Sequence, residues 1–341
     1  MKTTDKSLQR RNSCILIFTS FVWGISFVAQ SEGGDAIGPL SFNSIRSIIG
    51  SLVLMVVIAI LDRVGIITKK PETKEQQRTL LLGGVLCGFV LCTATNLQQL
   101  AISLGSPVGK AGFLTACYIL LVPILGIFFK RRCGLNVWIG VLIAIVGLYL
   151  LCIDGEFVIK TPDILLMLCA LCFSFHIMVI DHFSPKVDGL RMSCIQFMVT
   201  GVITAIPMCI FEIKGDFKTW IGGFGNLDAW IPLLYAAIFS CAVGYTLQII
   251  GQKGLNPTIA SLLMSLESVF SVLAGWVLLK EKLSPKELLG CALIFVAVVL
   301  AQLPGRKQTG KGVEEERGPI LPMYPSKREP ISTPPVDSRL T

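Results

Sequence analysis

The chain alternates long apolar runs with short polar breaks. Apolar blocks of about twenty residues, the length that spans a ~30 Å hydrocarbon core, occupy 13–30, 37–61, 79–102, 107–129, 134–153, 162–180, 190–211, 227–251, 257–279 and 285–303. The pattern predicts an all-α membrane protein with ten transmembrane helices. The first block lacks a small-residue cleavage site, contains Trp23 and precedes nine further blocks, so it reads as a permanent helix and not a removable signal. Residues 1–12 read as a cytoplasmic N-terminal segment. Residues 304–341 carry seven prolines and scattered charges, and such a segment cannot bury enough apolar surface to fold, so it reads as a disordered cytoplasmic tail.

Composition sharpens the membrane reading. Only 15% of residues are charged and 53% are hydrophobic, against about 25% charged in soluble domains, and the mean hydropathy is +0.72. The net charge of +8 therefore belongs to loops and tails, and a nucleic-acid partner is not expected. With the N-terminus inside, 22 of the 30 Lys and Arg fall on the cytoplasmic side and 6 on the outer side. Without the tail the split is still 15 to 6, so basic residues mark both termini as cytoplasmic. The absence of an N-x-S/T sequon fits a bacterial inner (plasma) membrane. Most of the twelve cysteines lie inside apolar blocks and read as reduced packing residues. Cys169 and Cys172 form a CxxC pair with no second pair or His/Asp cluster beside it, so no metal or other cofactor is expected.

The chain also repeats at an offset of 150 residues. Pro107 matches Pro257, Lys130 matches Lys280, Gly140 matches Gly290, Gln98 matches Gln248, Ile45 matches Ile195 and Val146 matches Val296. Identity is low, six of the 46 pairs from 107 to 152, but the register needs no gap. The units are 13–153 and 162–303, each with five blocks, and an odd number sends the second unit through the membrane upside down. Charge agrees, with five basic and three acidic residues in 62–78 but two basic and three acidic in 212–228. Inverted repeats are an architecture of secondary transporters, with a site near the midplane between the halves. The expected fold is therefore two inverted five-helix repeats around a central cavity.

Ionisable residues inside a bilayer are functional candidates by default. Glu267 lies ten residues past Pro257, about 15 Å along the helix and so near the midplane. Its face runs Ala260, Leu263, Glu267, Ser271 and Ala274, beside a stripe of Ser261, Ser265, Ser268 and Gly275, small residues that admit a close helix neighbour. A neutral acid costs far less to bury than a carboxylate. Glu267 thus either binds a proton or a cationic substrate group, or is a structural acid hydrogen-bonding between helices. His176 aligns with Ser26 through the repeat, so the two would flank a site on the pseudo-twofold axis; His176 is proton-responsive there or a satisfied buried histidine. Arg46, about 14 Å from the outer end of its block, matches neutral Gln196 and either meets a substrate anion or snorkels. Lys110, three residues into its block, reads as snorkelling. Asn96, Gln98 and Gln99 in the third block, Tyr245 and Gln248 in the eighth, Trp23 and Phe27 in the first and Tyr118 in the fourth complete the candidate lining, or are ordinary packing. Pro123 removes one backbone bond and clashes with the carbonyl of Ile119, which predicts a kink in the fourth block.

The stretches FVWGISFVAQ (21–30), LVPILG (121–126) and SLESVFSVLAGWVLLKEKLSPKELLGCALIF (265–295) resemble the drug/metabolite transporter superfamily, in its ten-helix branch built from two EamA-type repeats. The likeness covers about 13–303. In that family the fourth and ninth helices end in a turn carrying an acid; Lys280–Glu281 keeps it here, whereas Lys130–Arg131–Arg132 departs from it. The resemblance implies secondary transport, often export, of small metabolites through a central cavity, and does not transfer a cargo. It also implies that an acid matching Glu267 is common among members with different cargo. The expected partners are a small, amphipathic or amino-acid-like molecule, the lipid bilayer and, as a candidate coupling ion, the proton. Two other classes stay open. An intramembrane enzyme would need a nucleophile and base, paired aspartates or HExxH, and the chain carries none of these patterns. A receptor or scaffold that moves nothing across the membrane would need no inverted duplication.

Overall fold

The computed structural model describes residues 3–65, 70–106, 108–129, 134–152, 160–213, 217–278 and 284–302. The tail at 304–341, Pro107, Lys130–Arg132 and the Lys280–Glu281 turn lie outside the described residues. Every regular element among the described residues is helical. In chain order they are α1 (Thr3–Ile37), α2 (Pro39–Val64), α3 (Lys74–Ser103), α4 (Val108–Ala116), α5 (Tyr118–Phe128), α6 (Leu135–Cys152), α7 (Thr161–Phe183), α8 (Gly189–Phe211), α9 (Phe217–Gly222) and α10 (Leu227–Tyr235). A π-helical stretch, Ala236–Tyr245, then leads into α11 (Thr246–Gln252), α12 (Pro257–Met264), α13 (Leu266–Leu278) and α14 (Pro285–Gln302).

Eight helices among the described residues are long and apolar enough to cross a membrane. Four are α1, α2, α3 and α7, and a fifth is α8; the others are the joined runs Val108–Phe128, Leu227–Gln252 and Pro257–Leu278. The two remaining blocks of the sequence pattern are α6 and α14, each of 18 residues, which pack along one another. α1 is longer than its apolar block, because the polar residues from Thr3 onward are helical and the helix runs on to Ile37. Gly33 and Gly34, poor helix formers, lie inside it. At each a neighbour occupies the space a side chain would need, the Phe42 ring at Gly33 and the Gln99 amide at Gly34.

The ends are set by local chemistry. Gly38, with φ of 88°, turns the chain from α1 into Pro39 at the head of α2, and Gly65, with φ of 72°, ends α2 in the left-handed conformation that glycine adopts without strain. Thr73 and Gln76 exchange bonds in a capping box that opens α3. Asn256 caps α12 by accepting from Thr258 N at 2.9 Å, with Pro257 in the first helical position. At the head of α2 the Glu212 carboxylate, from the end of α8, accepts from Leu40 N at 2.7 Å, Ser41 N at 2.6 Å and the Ser41 hydroxyl. A carboxylate there satisfies orphan donors and meets the positive end of the helix dipole.

Small residues set the close crossings. A Cβ on Gly140 would sit 2.9 Å from Ala297 O and one on Gly147 2.9 Å from Gly290 O, so α6 and α14 meet backbone to backbone. Across α2 and α8, Ser44 Oγ donates to Gly201 O and Ser51 Oγ to Cys194 O, each at 2.9 Å. The outward faces carry large exposed hydrophobics, such as Met55, Val56 and Ile60 on α2 and Val202, Ile206 and Ile210 on α8. That is the surface a hydrocarbon solvent accepts and water does not.

Candidate functional site

A cavity lies among α1, α2, α3, α7, the π-helical stretch and the runs Val108–Phe128 and Pro257–Leu278. α1 contributes Trp23, Ser26, Phe27 and Gln30, spaced three and four residues apart on one helix face. α2 contributes Asn43, Arg46 and Ser47 by the same spacing. Thr95 and Gln98 come from α3, and Tyr245 and Gln248 from the junction of the π-helical stretch with α11.

Two helix breaks bring the opposite wall together. The Val108–Phe128 run is interrupted at Cys117, where the chain turns with Cys117 N to Leu114 O at 3.3 Å and Leu120 N to Cys117 O at 3.0 Å. The Pro257–Leu278 run is interrupted at Ser265, with Ser268 N to Ser265 O at 3.1 Å. Tyr118 follows the first break and Glu267 the second, and the Tyr118 hydroxyl donates to Glu267 Oε1 at 3.0 Å. The interruption does not fall at Pro123, the position expected to kink. Pro123 sits inside α5, while the interruption lies six residues earlier and recurs at Ser265, in a run with no internal proline. Ser261, Ser265 and Ser271 each donate to a carbonyl three residues back, and such side-chain bonds compete with the helix ladder. The small-residue stripe also takes neighbours closely, with Ser268 Oγ donating to Gly112 O at 3.1 Å and Ser20 Oγ to Leu263 O at 2.9 Å.

Of the twelve candidate lining residues named from the sequence, nine line the cavity: Trp23, Ser26, Phe27, Arg46, Gln98, Tyr118, Tyr245, Gln248 and Glu267. Three do not, and the first of these, Gln99, donates from Nε2 to Gln30 O at 2.8 Å. Asn96 stands behind the wall, accepting from Asn43 Nδ2 at 2.7 Å and donating to Thr204 Oγ1 at 2.8 Å. His176 is fully buried, 3.2 Å from Gln196 Oε1 and edge-on to Tyr245 at 5.9 Å between centroids. It supports Tyr245, which also contacts Trp23 at 4.6 Å and Phe197 at 5.2 Å. An aromatic wall results, with centroid spacings at which ring quadrupoles attract.

Charge is placed unevenly. Arg46 is 4% exposed; its Nε and Nη2 donate to Asn43 Oδ1 at 3.0 and 2.8 Å, and its guanidinium carbon lies 5.3 Å from the Phe42 ring centroid. Burial of this degree replaces the snorkelling alternative. Lys110 is likewise not a solvent-seeking lysine, since its Nζ donates to Asp163 Oδ2 at 2.8 Å and ties α4 to α7. A second ion pair, Arg191 to Asp62 at 2.7 Å, ties α8 to the end of α2. Arg46 and Glu267 form no ion pair with each other, yet both face the cavity. Ser26 Oγ, Gln30 Oε1 and Gln248 Oε1 belong to residues that line it and have no hydrogen-bond partner among the described residues. Such a set can bind a small polar molecule against an aromatic face. Among the described residues no group of three His, Cys, Asp or Glu is arranged to hold a metal ion.

Several lining residues went unnamed in the sequence: Gln30, Asn43, Ser47, Thr95, Thr115 and Ser240. Helical spacing marks the first three, since Gln30 lies four residues past Ser26, Asn43 three before Arg46, and Ser47 four past Asn43. Ser240 had no such signal, because it lies in π-helical geometry that rotates the face away from the 3.6-residue period.

The family model of the EamA-like transporter family matches residues 11–153 and again 160–303. An uncharacterized transporter of Archaeoglobus fulgidus is 27% identical over 299 residues, covering 84% of each chain. The chloroplastic WAT1-related protein At3g02690 of Arabidopsis thaliana is 26% identical over 308 residues, covering 85% of this chain and 69% of that protein. A crystal structure with 18% identity superposes with a TM-score of 0.70 over 89% of this chain and 99% of the other, which speaks for the fold alone. With the family model matching once in each half, so that the two matches together span nearly the whole described chain, and eight apolar spans to carry it, this chain is a multi-pass membrane protein that belongs to the EamA-like transporter family.

Proposed function

We propose that the protein is a secondary transporter that exports a small metabolite by alternating access through the central cavity. In this reading α6 and α14 are the fifth and tenth spans, the two five-helix units are inverted repeats, and both termini are cytoplasmic in a bacterial plasma membrane. Three pairs of contacts support the repeat, because adding or subtracting 150 exchanges the members of each pair. Ser44 with Gly201 exchanges with Cys194 and Ser51, and Gly140 with Ala297 exchanges with Gly290 and Gly147. Asp62 with Arg191 exchanges with Glu212 and Ser41. Such pairs are what a pseudo-twofold axis in the membrane plane produces. The two matches of one family model point the same way.

The observation that carries the functional reading is the cavity itself. Arg46 and Glu267, one from each half, line it without pairing to one another, and intramembrane charges of this kind mark substrate or ion pathways. Glu267, held by Tyr118, is the group we assign to proton coupling. A receptor, scaffold or enzyme gives no reason for two helix breaks that meet at one acid. Metabolite profiles of cells lacking and cells overproducing the protein test the reading. A specific small molecule should accumulate inside the first and be depleted in the second. Matching profiles would argue against export.

A further inference from the structure

Arg46 has an unusual allocation of its donors. Nε and Nη2 are both spent on one acceptor, Asn43 Oδ1, and Asn43 is itself clamped by donating to Asn96 Oδ1 at 2.7 Å and Thr95 Oγ1 at 3.1 Å. Asn96 is tied in turn to Thr204. This chain of bonds fixes the plane of the guanidinium from behind. Nη1 has no hydrogen-bond partner among the described residues, and Arg46 lines the cavity. Among the described residues no carboxylate lies within ion-pair distance of it. A buried arginine keeps its charge, and burying it unpaired is costly. A permanent cation held rigidly at a cavity wall, with a donor left over, matches a planar anion that accepts from the guanidinium.

We infer that the transported molecule carries a carboxylate and that Arg46 binds it, with Asn43 and Asn96 as positioning residues. This deepens the transporter reading and rests on the cavity being its binding site. The aromatic wall of Trp23 and Tyr245 would take the apolar remainder of the molecule. Two sources share this chemistry, a plain organic acid and a zwitterion. The Glu267 carboxyl, on the opposite half, tells them apart. A zwitterion places its ammonium there, whereas a plain acid tolerates Glu267 only in its neutral form.

The test is binding by the purified full chain in detergent, read as protection from thermal unfolding, and it needs no flux. The probes are 3-phenylpropanoate, phenylalanine and the primary amide of each, titrated to about 20 mM. At least one carboxylate should stabilise the wild type while its amide does not, and Arg46→Gln should weaken that response by about tenfold or more. Arg46→Lys keeps the charge but not the planar fork, and should also weaken it, which covers the case in which Arg46→Gln fails to fold. Glu267→Gln should strengthen 3-phenylpropanoate if the cargo is a plain acid, and weaken phenylalanine if it is a zwitterion. No stabilisation by either carboxylate, amides as effective as acids, or an undiminished response in the Arg46 variants would each overturn the inference. If carboxylates bind through Arg46 but sealed vesicles show no flux, the site stands and the transporter reading falls.

Discussion

Gly24→Ala is a demanding test of the packing, because it adds one methyl group at the closest crossing of α1 and α13. The new Cβ would lie 2.4 Å from Phe270 Cβ, 2.7 Å from Phe270 C and 2.8 Å from Ser271 N, whereas ordinary contact begins near 3.4 Å. Two of the three are backbone atoms and cannot rotate away, so the helices must part by up to about 1 Å. Overpacking of this kind costs ~1–3 kcal/mol, and the better helix propensity of alanine returns ~1 kcal/mol. The net expectation is a loss of ~1–2 kcal/mol by the same two magnitudes. Gly109→Ala is the matched control, since nothing lies within 4 Å of its added Cβ, and it should be neutral or stabilising by up to ~1 kcal/mol. Thermal unfolding of both variants in detergent measures the difference. Flux should also fall in Gly24→Ala, because Trp23, Ser26 and Phe27 on the same helix line the cavity. If Gly24→Ala is as stable as Gly109→Ala, the close crossing is wrong and the wall built on it is wrong too.

Other outcomes follow from individual contacts. Tyr118→Phe removes the bond to buried Glu267 and should cost ~1–3 kcal/mol, with a non-additive cycle against Glu267→Gln; additive effects would mean the two do not interact. In proteoliposomes Glu267→Gln should abolish the pH dependence of flux while leaving assembly intact, and a profile that tracks wild type would leave Glu267 a structural acid. Single cysteines at Asp35 and Lys218, both exposed, should react with an impermeant thiol reagent from outside intact cells, while Glu72→Cys and Lys186→Cys should not. The reverse labelling would invert the topology.

Much of the fold is legible in the sequence because hydropathy reports a local quantity, the cost of leaving each residue in hydrocarbon. The ten apolar blocks correspond to the eight long spans together with α6 and α14. What hydropathy does not report is partner geometry. Lys110 reads as snorkelling because Asp163, 53 residues away, is adjacent only in the fold. Pro123 draws the eye as a helix breaker, yet the breaks at Cys117 and Ser265 arise where side chains compete for backbone carbonyls. The site divides in the same way. Glu267, Arg46 and Tyr118 stand out as polar groups in apolar blocks and do reach the cavity. His176 and Asn96 stand out equally but bond to Gln196 and Thr204 behind the wall. Polarity alone does not distinguish a lining residue from its support.

The central claim, that a small molecule crosses through this cavity, is tested most directly by blocking it. In a cysteine-free background, Gln248→Cys places a thiol on the cavity wall and Ile250→Cys places one two residues on, at a position 37% exposed on the outer face of the bundle. Each variant is reconstituted in sealed vesicles with the metabolite identified by profiling, and counterflow is measured before and after reaction with a bulky thiol reagent. The account predicts saturable counterflow in both, abolished by modification at Gln248→Cys and unchanged at Ile250→Cys. Counterflow no greater than that of protein-free vesicles, or counterflow that survives modification at Gln248→Cys, would contradict it.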